Sequence, residues 1–344
     1  MISTTETRPV EELVKEFYSK PFYLSYSGLN KMLYSPALFY KHYILQQREE
    51  KLESYLIDGK VIHCLLLDNG SFEEQFMLMP STLPTDNTRK LVDVIYDRVK
   101  EAPGILENYT VEILEYLKEV KLHQSLTDDK KAPWKTGDEK RLEKILTEDA
   151  KSYFEFLKIK GNKDLLDSET MQRCNEAVDI LRADPKVCEL LGLLISEMDN
   201  VELHNEKFFN IDIDYPFGLK GVLDNVKVDH DKKTIFVNDL KTTSKTIADF
   251  KETIEFYNYW SQAAIYHRLA HFNFHELLAQ EGWKIVFNFI VIDKYQQVYC
   301  FEVSEGTMAE WQLRLEEKLK EAEWHYNTRN YSLPKAFAEG TVIL

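Results

Sequence analysis

The sequence predicts a mixed α/β (α+β) chain: a central mixed sheet flanked by helices, with a helical block inserted ahead of most of the strands. Three features carry this. From about residue 201 to 344 the order is strand, strand, strand, helix, strand, strand, helix. Residues 86–200 repeat apolar side chains at three- and four-residue steps, the period of a helix. Residues 1–85 also read as helical and end in a break around Pro80 and Pro84. Three parts are therefore expected: 1–85, a helical part of the core; 86–200, a helical insertion; and 201–344, the α/β core.

In chain order, Ser25 or Ser27 is a candidate N-cap for the segment GLNKMLY. Ser35-Pro36 restarts a helix over ALFYKHYI, with proline at its first position. A helix over about Asp58–Asp68 follows, DGKVIHCLLLD. The insertion holds TRKLVDVIYDRVK, VEILEYLKEVKLHQ, EKRLEKILTEDAKSYFEFLK and TMQRCNEAVDILRA. The period then changes to that of strands in KFFNIDID, KGVLDNVKVD and TIFVNDLKTT, separated by the turn sequences YPFG and DHDKK. One long helix is expected over about Ala248–His271. KIVFNFIVID is a buried strand paired across KYQQ with VYCFEVS, and an amphipathic helix over about Thr307–Tyr326 closes the domain.

The chain has 344 residues, 43 Lys and Arg against 58 Asp and Glu, and a formal charge of −15. With 44% hydrophobic residues it has ample material for a core. The acidic balance argues against a nucleic-acid binder that relies on blanket positive charge, but not against an enzyme that meets phosphate through bound metal and a local basic strip. No apolar run reaches the roughly 20 residues that span a bilayer, and the N-terminal MISTTETRPVEELVKEF has no apolar signal core, so a cytoplasmic protein is expected. Cys64, Cys174, Cys188 and Cys300 form no CxxC pair and read as reduced thiols.

Side chains alternate faces along a strand. Asp224 should thus share a face with Val222, Val226 and Val228, and Asp239 and Lys241 with Ile235 and Val237. Two carboxylates and a lysine on the apolar sides of neighbouring strands are costly unless paired or metal-bound. One reading is a buried ion pair with a turn-capping Asp. The other is a pair of hard oxygen ligands for Mg²⁺ or Mn²⁺ with a lysine beside a reacting phosphate. Gln262 and Tyr266, four apart, lie on one helical stripe with Tyr259, Ala263, Leu269 and Ala270. They read either as a core-edge pair or as groups reaching toward the acids. His63 lies in an apolar helix, one turn after Gly59, whose missing side chain would admit a backbone or a ligand. Lys31, Lys41 and Arg48, and Lys227, Lys232, Lys233 and Lys245, read as solvated surface or, together, as a basic channel.

In order, Gly59-Lys60-Val61-Ile62-His63, Asp224, Asp239-Leu240-Lys241 and Gln262-Ala263-Ala264-Ile265-Tyr266 match GxxxH, an isolated D, (D/E)xK and QxxxY. The chain therefore resembles the PD-(D/E)XK nuclease superfamily, in its RecB-like and phage exonuclease VIII-like branch. Ser25–Leu29 with Ser35–Phe39 resembles that branch's N-terminal helical motif, and YLIDGKVIHCLLLDNGSFEEQF the phage and prophage group. The resemblance covers about residues 22–80 and 205–305 and implies metal-dependent hydrolysis of DNA, 5′→3′ from duplex ends, in recombination or DNA processing. The alternatives are a structure-specific or single-strand endonuclease of the same superfamily and a non-catalytic DNA-binding protein on that fold. Carried over, Asp224, Asp239, the Leu240 carbonyl and His63 hold Mg²⁺ or Mn²⁺, Lys241 positions the attacking water, and Gln262 and Tyr266 orient the site. Ser25, Ser27, Lys31, Ser35 and Lys245 are the DNA contacts it implies. It also implies a homo-oligomeric ring (trimer or tetramer), a single-strand annealing protein as partner, and a bacterial or phage-infected host cytoplasm. Ser35 stands where iron–sulfur members carry a cysteine, so no such cluster is expected. No GxxxxGK[ST] motif is present, so neither is a nucleotide.

Overall fold

The structure, a computed structural model, describes residues 8–47, 54–128, 136–194 and 200–340. Arg48 of the expected basic channel lies outside them. The described strands are β1 (Tyr23–Leu24), β2 (Phe76–Leu78), β3 (Asp164–Leu166), β4 (Val201–Ile211), β5 (Gly218–Asp229), β6 (Thr234–Thr243), β7 (Lys284–Asp293) and β8 (Val298–Val303). The chain divides into two compact units, Gly70–Arg173 and the remainder, Met1–Asn69 with Cys174–Leu344. These limits lie earlier than the expected 86–200, for two reasons. β2 pairs in parallel with β3, which binds residues 76–78 to the helical unit. The helix Pro185–Leu191 instead caps its C-terminal carbonyls on side chains of β5 and β6.

The smaller unit is helical, with helices Asp86–Val99, Thr110–Glu119, Gly137–Ile145 and Glu148–Lys160. Leu91, Val92, Ile95, Ile113, Leu117 and Phe154 form its core.

The larger unit is a mixed α/β layer structure. Its six-stranded sheet runs β1-β5-β6-β7-β8, with β4 on the free edge of β5. β6 and β7 are parallel over their full length, and β4–β5, β5–β6 and β7–β8 are antiparallel. Short turns permit the antiparallel pairs; the β6–β7 step needs the helical crossover that the sequence supplies. Helices Tyr26–Tyr34, Tyr259–Asn273 and Glu305–Thr328 share one core with the sheet, centred on Phe39, Val226, Val237, Ile265, Phe289 and Leu315. The helix caps follow the sequence: Ser25 Oγ accepts from Gly28 N–H, and Ser35 Oγ from Leu38 N–H. Among the described residues no helix is long and apolar enough to cross a membrane.

Three expectations need correction. The single helix over 248–271 is broken into Phe250–Phe256 and Tyr259–Asn273, because Asn258 adopts a left-handed conformation at φ 57°. β4 is longer than KFFNIDID and reaches back to Val201. Strict alternation also fails on β5: Leu219 and Leu223 lie in the same core as Val226 and Val228 although their parities differ, and Val222 is 43% exposed. The interruption adjoins Asp224.

Gly218 marks where β1, β4 and β5 converge. A Cβ there would run into the Tyr23 ring and the Ile211 carbonyl, and a backbone carbonyl cannot yield. Gly218→Ala should therefore destabilise the larger unit by about 2–3 kcal/mol, read as a lowered urea midpoint with unchanged slope.

Candidate active site

β5 and β6 pair from Asp229–Thr234 as far as Asn225–Asn238 and then part. The next pair in register would set Asp224 opposite Asp239, yet β5 continues to Gly218 and β6 to Thr243. The backbone of Leu240, which a continuing ladder would use, is satisfied by side chains instead. Its N–H donates to Asp224 Oδ2 at 2.8 Å, and its carbonyl accepts from His63 Nε2 at 3.0 Å. His63 arrives on the helix Ser54–Leu67. Gly59 lets that helix close on β6, since a Cβ there would lie 3.1 Å from the Thr242 hydroxyl.

A carbonyl only accepts, so His63 Nε2 carries the proton and Nδ1 faces two acids. Nδ1 lies 3.4 Å from Glu206 Oε1 and 3.6 Å from Asp224 Oδ2. Burial disfavours the charged ring, but Asp224 and Glu206 outweigh it and lift the imidazole to about 9. Glu206 is a site residue that sequence reasoning missed. It stands on β4 opposite Asp224, between the registered pairs Asn205–Asn225 and Lys207–Leu223. Its φ of 45° is uncommon for a residue with a side chain and coincides with the broken alternation. Donor atoms of His63, Glu206 and Asp224 all lie within 4.8 Å of one another. Two carboxylates and an imidazole, with the second ring nitrogen held by a carbonyl, suit a divalent cation.

Asp239 and Lys241 sit beside this group. Asp239 is fully buried, and neither oxygen accepts an aligned hydrogen bond. The Lys241 ammonium is ion-paired with Oδ2 and lies 5.0 Å from the Tyr259 ring centre. Burial lifts the Asp239 carboxyl to about 6, with Lys241 opposing and Asp224 adding to the rise. Burial likewise works against the Lys241 charge, and Asp239 and Asp224 more than restore it. The Tyr259–Asn273 helix brings Gln262 and Tyr266 to the same place. Burial and then the charges of Asp224 and Asp239 push the Tyr266 phenol up, and the buried Gln262 Oε1 has no partner. Asp239 Oδ1 and Gln262 Oε1 are thus left to be met by water, an ion or a ligand.

The sequence-derived metal set is thus drawn together only in part. His63 and Asp224 meet Glu206, Asp239 stays with Lys241, and the Leu240 carbonyl is engaged by His63. Of the implied DNA contacts, Ser25 and Ser35 spend their hydroxyls on helix caps, Ser27 bonds Ser25 at 3.1 Å, and Lys31 Nζ lies 2.8 Å from His42 Nδ1. Lys245 Nζ lies over the Phe256 ring at 5.2 Å. Lys227 leaves the basic channel altogether: it is fully buried and donates to the Glu189 carbonyl at 2.6 Å. Lys232 pairs with Glu189, and Lys233 donates to the Glu281 carbonyl.

The strands are held by a row of amides. Asn288 donates to Asn238 at 2.9 Å, Asn238 to Asn225 at 2.7 Å, and Asn225 to Asn205 at 2.8 Å. Asn205 ends the row on the carbonyl of Leu67, the last residue of the His63 helix, at 3.0 Å. The remaining N–H groups of Asn238 and Asn225 cap Leu190 and Leu191 at the end of the Pro185–Leu191 helix. Asn205, Asn225 and Asn238 are the sequence neighbours of Glu206, Asp224 and Asp239.

No protein-family model matches the chain, and no curated protein matches its sequence. Among solved structures it is similar to a crystal structure from Eubacterium rectale provisionally described as an exonuclease, with 10% identity, a TM-score of 0.46, and coverage of 100% of this chain and 95% of that chain.

Asn238→Leu would leave the Asn288 donor, the Asn225 acceptor and the Leu190 carbonyl unmet in the interior. It should cost about 3 kcal/mol, read from urea unfolding, whereas removing the exposed Glu281–Lys233 contact by Lys233→Ala should cost under about 0.5 kcal/mol.

Proposed function

We propose that this protein is a metal-dependent deoxyribonuclease of the PD-(D/E)XK kind. The observation that carries the reading is the parting of β5 and β6 at Asp224 and Asp239, with His63, Glu206 and Asp224 gathered at one point and Lys241 beside them. A divalent ion held by these residues would supply a lowered pKa for bound water and charge neutralisation at the phosphoryl oxygens. The chain's own groups then have definite tasks. His63, Glu206 and Asp224 offer one nitrogen and hard carboxylate oxygens. Asp239, buried and without an aligned hydrogen bond, offers another oxygen and keeps Lys241 charged. The Lys241 ammonium, fixed by Asp239 and the Tyr259 face, would orient the attacking water by a hydrogen bond and offset negative charge building on the phosphoryl oxygens. Gln262 and Tyr266 offer an amide oxygen and a neutral phenol to orient the same water or the scissile strand. The row of asparagines keeps these groups from drifting apart.

The finer reading is an exonuclease acting 5′→3′ on duplex ends. It rests on the order of GxxxH, D, DxK and QxxxY and on the exonuclease VIII-like phrase around His63. A ring of identical subunits and a single-strand annealing partner belong to the same reading.

Incubation with linear and circular duplex DNA tests it. Linear DNA should be consumed with Mg²⁺ or Mn²⁺ and spared with EDTA, while closed circles persist. Nicked circles would replace the exonuclease reading by an endonuclease one, and no cleavage by folded protein with either metal would overturn both. Lys241→Ala and Asp239→Ala should lower cleavage by at least about a hundredfold in protein that circular dichroism shows to be folded at the assay temperature. Glu206→Gln should weaken Mn²⁺ binding about tenfold or more by calorimetry, a readout that needs no turnover.

A further inference from the structure

We propose that Phe256 and Tyr257 form a stacking site for an unpaired nucleobase beside the cleavage centre. The inference rests on the nuclease reading and names the form of substrate that the centre receives: a strand whose bases are already out of the duplex.

Phe256 and Tyr257 lie at the break between the two helices. The left-handed Asn258 turns the chain there and leaves Phe256 71% and Tyr257 47% exposed. Other rings are exposed too, Tyr34, Phe208 and Tyr295 among them, but Phe256 and Tyr257 are consecutive and touch each other. They are also ordered. Phe256 meets Tyr257 edge to face at 4.9 Å, and Tyr257 stacks on Tyr259 at 5.5 Å and 27°. Tyr259 lies beneath the Lys241 ammonium, and Lys245 lies over Phe256. A single row thus leads from the buried cation of the centre to an exposed one: Lys241, Tyr259, Tyr257, Phe256, Lys245.

The platform is rigid. The Tyr257 carbonyl accepts from Tyr26 Oη at 2.5 Å and from Asn30 Nδ2 at 3.3 Å, both on the Tyr26–Tyr34 helix. The adjacent acid in the chain, Glu255, is neutralised by a two-point contact with Arg314, at 2.9 and 2.7 Å. Exposed rings with Lys245 beside them match a nucleobase with its phosphate, and any base has a face to stack. A duplex offers only base edges in its grooves, so the matching ligand is an unpaired strand.

The test uses the full chain in EDTA, so that nothing is cut. Fluorescence anisotropy compares a short oligothymidylate with an abasic oligomer of equal length, which keeps the phosphates and lacks the bases. The wild-type protein should prefer the thymidylate by about tenfold. Phe256→Ser and the Phe256→Ser/Tyr257→Ser pair should bring thymidylate binding down toward the abasic level, while Tyr257→Phe should keep the preference. Lys245→Ala should weaken both oligomers alike. Equal binding of the two oligomers by wild-type protein, as expected were the rings a docking face for another protein, overturns the inference. So does a preference that survives the double substitution in folded protein. Cleavage of linear DNA by the same preparations with Mn²⁺ is scored separately: cleavage without base preference sinks the stacking site and leaves the nuclease, whereas base preference without cleavage does the reverse.

Discussion

The hydrogen-bonded row from Asn288 through Asn238 and Asn225 to Asn205 is the constraint on which the rest of the larger unit depends. Each central amide gives both N–H groups and accepts once, so the row is satisfied and has a direction. It crosses four strands, closes the ends of two helices, and stops beside the point where β5 and β6 separate. Buried amides are expensive when unmatched. A slip of one residue in any of these strands would unmatch several at once. The row therefore sets the register that places Glu206 and Asp224 around His63 and Asp239 with Lys241 beside them.

The parting of the strands explains the electrostatics. Leu240 loses its ladder partner, and Asp224 and His63 take over its N–H and carbonyl. That draws an imidazole into contact with two acids and holds it protonated above its usual range. A proton on His63 and the ammonium of Lys241 balance Glu206, Asp224 and Asp239, in a cluster that is closed at Asp239 and part-exposed at His63 and Glu206. A divalent ion held by His63 would take the place of its Nδ1 proton. In a chain of net charge −15, Lys241 stays with the acids, while Lys227 and Lys232 are absorbed by Glu189 and its carbonyl.

Much of this was legible in the sequence, for reasons that differ by element. β6 and β7 occur where TIFVNDLKTT and KIVFNFIVID placed them, because an apolar run bounded by turns has few other uses. Ser25 and Ser35 cap helices because a hydroxyl ahead of an apolar run satisfies an otherwise unmet N–H. Glu206 was invisible: it precedes the part of β4 with a strand-like period, and its role comes from a left-handed backbone that no spacing announces. The helix break at Asn258 escaped for the same reason, since the apolar stripe continues across it.

By itself the sequence determined the layer architecture, the strands that carry Asp224, Asp239 and Lys241, and the helices that carry His63, Gln262 and Tyr266. These follow from period and turn chemistry, which are local. Only the tertiary structure decided that β5 and β6 part at the acids, that Glu206 rather than Asp239 completes the group around His63, that Lys227 is buried, and that Phe256 and Tyr257 face solvent. Those outcomes depend on which residue stands across from which in neighbouring strands and helices. That is a matter of register and backbone conformation, and contacts between residues more than 100 positions apart, such as His63 with Leu240 and Asn205 with Leu67, set it.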